Sequence, residues 1–442
     1  MKKVLLIGAG KSSGYLIDYL LQHAVAERYE LTVADLSAEA ALIKTKGLPN
    51  SRAIALDINN QKHSIQQIEA ADIVISMLPA SMHFPVAKAC VELGKHMITA
   101  SYVSPEIAGL HEEALKRDVL LLNEIGLDPG IDHMSAMKII HEIKAKGGTV
   151  TSFKSFCGGL VAPESNNNPW GYKFSWNPRN VILAGQSTAK FLLNGSYQYL
   201  PYHRLFASSE VINIEGYGKF DAYANRDSLG YRKLYGIENI ETMLRGTLRQ
   251  HHFCEAWQVF VLLGLTDDSI SVELEEHCTY GKFVSSFLPG AGSNLLQRLC
   301  AFTGREAEDS VIKMIEWTGI LSDEPIGLQQ ATPARVLQQL LEKKWLLEPH
   351  DKDMVVMQHL FNYRSASGSQ HRITSTLVVT GEDSIKTAMA KTVGLPLAMA
   401  VRRLINGSIH LRGVQIPVMP DLYLPILEEL AGYGIVFEET EN

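Results

Sequence analysis

Hydrophobic positions in the first 130 residues fall into short continuous runs separated by stretches with helical spacing. Residues 3–7 are almost wholly apolar, as a strand covered on both faces requires, and 12–24 then carry apolar side chains at helical spacing. The run recurs at 31–34, 53–56, 73–77, 97–100 and 119–122, with helical patterns near 37–46, 62–70, 83–93 and 105–117 between them. Strand and helix in that alternation predict an α/β fold, a Rossmann-type doubly wound parallel sheet.

Beyond Gly130 the pattern changes. Residues 149–156 alternate like a half-exposed strand, and a polar segment dense in Pro, Asn and aromatic residues follows. Residues 205–280 mix strand-like pieces with polar loops. The stretch 292–346 is helical, with Leu295, Leu296, Leu299, Met314, Ile315, Val336, Leu337, Leu340 and Leu341 at core spacing. Residues 354–360 and 372–379 return to strand, and 384–404 read as a long apolar helix crossing back to the first domain. The predicted organisation is a dinucleotide-binding domain over 1–130, completed by a segment of about 385–442. An α+β substrate-binding and dimerisation domain covers 131–384, with a helical subdomain over about 290–346.

The turn after the first strand carries the first chemistry. A pyrophosphate approaches the backbone closely at the start of a helix, and Gly8 and Gly10 leave room for it. The full glycine pattern places a third glycine at 13, where this chain has Ser13 followed by Gly14. Ser12 and Ser13 are small enough for the same role. Asp35 ends the second strand, where an acidic side chain accepts hydrogen bonds from both ribose hydroxyls and repels a 2′-phosphate. That favours NAD over NADP. Asp57 and Ile58 follow the third strand at the adenine edge, and Leu78 and Pro79 follow the fourth, where the chain turns over the cofactor.

Composition narrows the classes. The 442 residues are 46% hydrophobic and 20% charged with a net charge of −7, which excludes the basic surface of a nucleic-acid binder. The five cysteines are widely spaced and form no CxxC pair, so they read as thiols of a reducing, cytoplasmic compartment, with no structural metal. The run 4–7 ends at a glycine turn, which reads as a buried strand and no export signal, and no apolar stretch approaches the ~20 residues of a membrane span.

The segment Asn123-Glu124-Ile125-Gly126-Leu127-Asp128-Pro129-Gly130-Ile131-Asp132-His133 follows the last strand at the carboxyl edge of the sheet, where ligands bind. With it stand Ser101-Tyr102-Val103-Ser104-Pro105, Cys157-Gly158-Gly159-Leu160, Pro163-Glu164, Asn168-Pro169 and Gly171-Tyr172-Lys173-Phe174-Ser175-Trp176. Asn225-Arg226-Asp227-Ser228 and Arg245-Gly246-Thr247-Leu248 complete the set. Together these motifs resemble the glutamate-forming saccharopine dehydrogenases, also called saccharopine reductases, in the family's order along most of the chain.

The resemblance implies reversible oxidation of saccharopine, the secondary amine joining the lysine side chain to glutamate, and a homodimer. It places Asp128, Cys157 and Tyr102 near the reacting nitrogen, with Asp128 as the main proton-handling group. Leu127, Asp128, Pro129 and Ser175 match cofactor surroundings. Ser101, Tyr102, Lys173, Arg226, Arg245, Gly246 and Thr247 match substrate surroundings. A planar guanidinium grips a carboxylate with two parallel hydrogen bonds, so Arg226 and Arg245 are the carboxylate candidates, with Asp227 as a partner for Arg226. Closure of the domains over the substrate would exclude water.

The bland readings are a turn for Asp128 in Asp-Pro-Gly, a buried small side chain for Cys157 and a helix-surface or structural histidine for His133. The resemblance also shows departures. The family's fungal NADP users lack an acidic residue at the end of the second strand, unlike Asp35 here, and Trp170 and Phe156 stand where the family often has Leu and Tyr. Trp170 is expected to reshape the pocket. Two other functions fit the same pattern: a dehydrogenase of a related secondary amine such as carboxynorspermidine, and a non-catalytic dinucleotide-binding regulatory protein.

Overall fold

The computed structural model describes residues 1–292 and 294–442. Residue 293, in the stretch expected to be helical, lies outside them. Two compact units emerge: Met1–Thr149 with Tyr363–His371 and Ser375–Asn442, and Val150–Asn362 with Arg372–Thr374.

In the first unit, strands β1 (Lys2–Ile7), β2 (Tyr29–Asp35), β3 (Ser51–Ala55), β4 (Ile73–Ser76), β5 (His96–Ile98) and β6 (Leu120–Leu122) form a parallel sheet in the order β6-β5-β4-β1-β2-β3. A late strand, Gly413–Gln415, adds parallel to the outer side of β6. Val4, Leu5, Leu6 and Ile7 are all buried, which explains why β1 carries no polar face. Parallel neighbours need crossovers, and the helices Gly14–Ala24, Ala38–Thr45, Gln61–Glu69 and His83–Leu93 supply them. The order reverses between β1, which pairs with β2 on one side, and β4 on the other, so the carboxyl ends of β1 and β4 mark the topological switch point. This is the doubly wound sheet that the apolar runs predict.

The helix Ala388–Ile405 lies against Gly14–Ala24, and Gly394 sets the approach: a Cβ there would stand 2.9 Å from the Leu16 nitrogen. Arg402 fastens this helix through Glu27 (2.5 Å) and Glu429 (3.2 Å). The sequence reading differs in three places, the first being that the late part of this unit comprises Tyr363–His371 and Ser375–Asn442 instead of starting at about 385. The helix Ile131–Ala145 belongs to the first unit, where its His141 bonds the Tyr423 hydroxyl at 2.7 Å, so the division falls at 149–150 instead of 130. The stretch 105–117 is two short helices, Pro105–Ala108 and His111–Lys116, because the first ends at Gly109.

The second unit is built on a mixed sheet. Strands β7 (Thr149–Val161), β8 (Ala189–Leu193), β9 (Ser196–Leu200), β10 (Glu210–Ile214), β11 (Gly218–Ala224) and β12 (Thr242–Gln250) contribute, with Asp353–Arg364 beyond β7. The order runs β10-β11-β12-β7 and then Asp353–Arg364, with β8 and β9 off β12. β12 pairs antiparallel with β11 and parallel with β7. Helices Phe253–Leu262, Ser310–Trp317 and Pro333–Lys344 pack beside it around Trp170, Trp257 and Trp345, all fully buried.

Candidate active site

At the switch point the Gly8 backbone has φ +108°, and a Cβ there would lie 2.9 Å from the Met77 carbonyl oxygen, so the fold itself demands glycine. Gly10 differs. It is exposed, and a Cβ there would meet nothing within 4 Å, so the chain alone does not call for its missing side chain. No side chain caps Gly10 or the start of the helix Gly14–Ala24, whereas Ser37 and Asn60 cap the next two helices. The uncapped first-turn amides and the open space over Gly10 suit an anion such as a pyrophosphate.

Around this turn stand the other expected cofactor positions. Asp35, half-buried at the end of β2, accepts the Ala9 amide at 2.8 Å and the Ser37 amide at 3.3 Å. Asp57 is exposed beyond β3 and accepts the Asn59 amide at 2.9 Å, with half-buried Ile58 beside it. Leu78 and exposed Pro79 follow Met77, whose amide bonds Ile7 at 2.9 Å. Ser12 is half-buried in the short helical turn Lys11–Ser13, while the Ser13 hydroxyl is buried and donates to the Gly10 carbonyl at 2.8 Å. Ser13 braces the turn from inside.

The second constellation of this unit lies past β5 and β6. A peptide loop closes between Gly126 and Gly130, whose φ is +147°; a Cβ on Gly130 would sit 2.1 Å from the Gly126 oxygen, so only glycine fits. Within the loop are Leu127, Asp128 and Pro129, the Asp128–Pro129 bond being cis. Tyr102, on the segment after β5, donates its hydroxyl to Asp128 Oδ1 at 3.4 Å, a long bond between two half-buried groups. Ser101 beside it shares a 2.7 Å hydrogen bond with Nε2 of His83, and the other ring nitrogen contacts Ser76 Oγ at 2.8 Å. Burial pushes His83 down to about 4, which keeps the ring neutral, one nitrogen donating and the other accepting.

In the second unit the pairing of three strands gathers the remaining residues. Cys157 on β7 is the register partner of Thr247 on β12. Ala224 at the end of β11 pairs Gly246, and the Asn225 amide bonds the Arg245 carbonyl at 2.8 Å, which brings Arg226 next to Arg245 along the backbone. Arg245 is buried with its guanidinium 4.5 Å from the centre of the Tyr231 ring, a cation–π geometry that holds the fork. Arg226 is exposed, with φ +50°. Gly246 is pressed by the Phe156 ring, 2.7 Å from an added Cβ. Ser175 is buried and its hydroxyl has no hydrogen-bond partner, so it keeps capacity for a ligand.

Several expectations change. The Asp227 carboxylate accepts the Leu229 amide at 2.8 Å and faces Lys190 at 3.5 Å. Lys173 is buried and committed to Asp351 at 2.5 Å, an ion pair between residues 178 apart that spacing does not reveal. Trp170 lies in the aromatic core against Phe260 and Trp345, its indole donating to the Met314 carbonyl at 2.8 Å, and is part of the core. His133 is fully buried and bonded to Glu124, so of its two readings the structural one fits and the helix-surface one does not.

The sequence reading missed Arg249. It lies two residues beyond Thr247 on the same face of β12, buried among Tyr172, Tyr223 and Phe253, with its Nε unpartnered. Strand alternation through Arg245, Thr247 and Arg249 was the available signal. Among the described residues no group of three or more His, Cys, Asp or Glu is arranged to hold a metal, and no helix is long and apolar enough to cross a membrane.

A nucleotide-type sheet with an open glycine turn, and a Tyr–Asp pair at its carboxyl edge, define a dinucleotide-binding protein. Comparison with known proteins makes this specific. The saccharopine dehydrogenase NADP binding domain model matches residues 4–122, and the saccharopine dehydrogenase C-terminal domain model matches 126–435. Saccharopine dehydrogenase [NADP(+), L-glutamate-forming] of Schizosaccharomyces pombe is 35% identical over 99% of both chains. Mitochondrial alpha-aminoadipic semialdehyde synthase of Mus musculus is 36% identical over 99% of this chain and 47% of its own. Among solved structures, the apo saccharopine dehydrogenase (L-Glu forming) from Saccharomyces cerevisiae superposes with a TM-score of 0.88 at 34% identity, covering all of both chains. The chain belongs to the saccharopine dehydrogenase family.

Proposed function

We propose that the protein catalyses reversible oxidation of saccharopine with NAD. Saccharopine, NAD+ and water give 2-aminoadipate 6-semialdehyde, glutamate, NADH and a proton. The observation that carries the substrate and the bond oxidised is the likeness along 99% of the chain to an enzyme named for glutamate-forming oxidation of saccharopine with NADP(+).

A bound nicotinamide would accept the hydride from the carbon next to the substrate nitrogen. The chain's own residues handle protons and charge. Asp128 takes the proton from the secondary amine, and the Tyr102 hydroxyl, already hydrogen-bonded to Asp128, keeps that carboxylate oriented. Cys157 assists in moving protons as water adds to the imine. Arg226 and Arg245 grip substrate carboxylates, with Ser101, Gly246 and Thr247 completing the grip, and Ser175 offers its unpartnered hydroxyl to the cofactor. Lys173 acts through Asp351 and not as a free cation.

The names of the relatives specify NADP(+), which supports the phosphorylated cofactor as the second reading. NAD is put first because the Asp35 carboxylate stands at the end of β2, where it would repel a 2′-phosphate. The homodimer of the family is carried as part of the same proposal. The test is product analysis: saccharopine plus NAD should yield glutamate and the semialdehyde in equal amounts. Release of neither product, or turnover of carboxynorspermidine alone, would replace this reading.

A further inference from the structure

Glu124 stands just past β6 with φ +58°, a conformation unusual for a residue with a side chain, and its carboxylate is buried. Burying a carboxylate is costly, so its contacts must compensate. Its amide donates to the Ser101 carbonyl at 3.0 Å, and its Oε1 accepts the Val103 amide at 3.0 Å. These two bonds grip the segment on either side of Tyr102. Its Oε2 lies 2.8 Å from Nε2 of His133, whose Nδ1 is 3.8 Å from Asp132. Asp132 in turn accepts the Gly130 amide at 2.6 Å. A buried polar chain thus runs from Val103 through Glu124, His133 and Asp132 to Gly130, ending two residues from Asp128.

We infer that Glu124 is a positioning residue that sets the Tyr102 hydroxyl against Asp128. The inference rests on the proposed saccharopine reaction. Glu124 fixes the backbone beside one reacting group directly and beside the other through His133 and Asp132. The Tyr102–Asp128 bond is long at 3.4 Å, so a small shift of the Tyr102 segment breaks it. His83 anchors the same segment from the other side through Ser101.

Two substitutions separate position from charge. Glu124→Gln keeps the reach and an oxygen acceptor for Val103 but loses the charge, while Glu124→Asp keeps the charge and loses the reach. Glu124→Asp should lower kcat roughly tenfold to a hundredfold, and Glu124→Gln should stay within about threefold of the parent. In a Tyr102→Phe background, the further loss from Glu124→Asp should shrink to less than about threefold, because the group it positions is gone. Cofactor binding, followed by NADH fluorescence, should change little in either variant. Turnover by the parent enzyme is measured first, so a parent inactive on saccharopine refutes the function and not the positioning. With an active parent, the inference is overturned if Glu124→Gln is the more damaged variant, if both match the parent, or if the loss is the same with and without the Tyr102 hydroxyl.

Discussion

The carboxylate of Asp35 accepts the amide of Ala9 at 2.8 Å, so the acidic end of the second strand and the glycine turn form one hydrogen-bonded unit. The side chain thus braces the turn, and on the proposed reading its charge would also face the cofactor ribose. Asp35→Asn retains an acceptor for Ala9 and removes the charge; the ratio of kcat/KM with NADP to that with NAD should rise about tenfold or more. Asp35→Ala also removes the brace, and KM for both cofactors should rise by roughly tenfold. Steady-state kinetics with both cofactors decide this, and an unchanged ratio in Asp35→Asn would place discrimination elsewhere.

Asp128 is assigned the proton. Asp128→Asn should lower kcat by roughly a hundredfold or more, while Tyr102→Phe, which removes only the orienting hydroxyl, should cost about tenfold. Solvent isotope effects and pH profiles of both variants check the assignment. Parental kcat in Asp128→Asn would reduce Asp128 to a turn residue.

The arginines and Lys173 should behave differently, although all three are cations expected at the substrate. Arg245→Met should raise KM for saccharopine by roughly tenfold to a hundredfold with the fold intact. Lys173→Met leaves Asp351 without its buried partner and should cost about 3 kcal/mol of stability in urea unfolding. A Lys173→Met protein of parental stability would mean the ion pair is not structural. Asp227→Asn should leave saccharopine KM nearly unchanged, since that carboxylate serves Lys190 and the Leu229 amide.

How far these residues were legible follows from what each depends on. The strands of the first unit were readable because burial on both faces leaves a continuous apolar run, and Gly8 because its backbone cannot accept a side chain. The boundary near 149 was not, because the helix Ile131–Ala145 is buried on most sides, polar residues such as Asp132 and His133 included, and its partner, Pro420–Ala431, lies far along the chain. Arg226 and Arg245 were found by motif, but what surrounds them depends on β12 pairing with β7 and β11, which local pattern does not specify. Glu124 was visible only as a polar residue after a strand; its burial and its bonds to Val103 and His133 emerge once β5 and β6 are side by side.

Burial of His83 gives a pH signature. Its pKa falls from 6.5 to about 4 on folding, so the unfolded chain binds this proton more tightly than the folded chain. The stability associated with the neutral ring is complete above about pH 6.5 and declines as the pH drops toward about 4, by about 2 kcal/mol between roughly pH 7 and pH 5. His83→Asn should be less stable at neutral pH but lose about 2 kcal/mol less than the parent over that interval. Urea midpoints at the two pH values test it, and parallel declines would contradict a buried neutral His83.

The central claim is oxidation of saccharopine with NAD, and absorbance of NADH on adding saccharopine to enzyme and NAD tests it most directly. Saccharopine-dependent NADH formation is expected, with kcat/KM for NAD at least about tenfold above that for NADP. Absence of saccharopine-dependent reduction of either cofactor would contradict it.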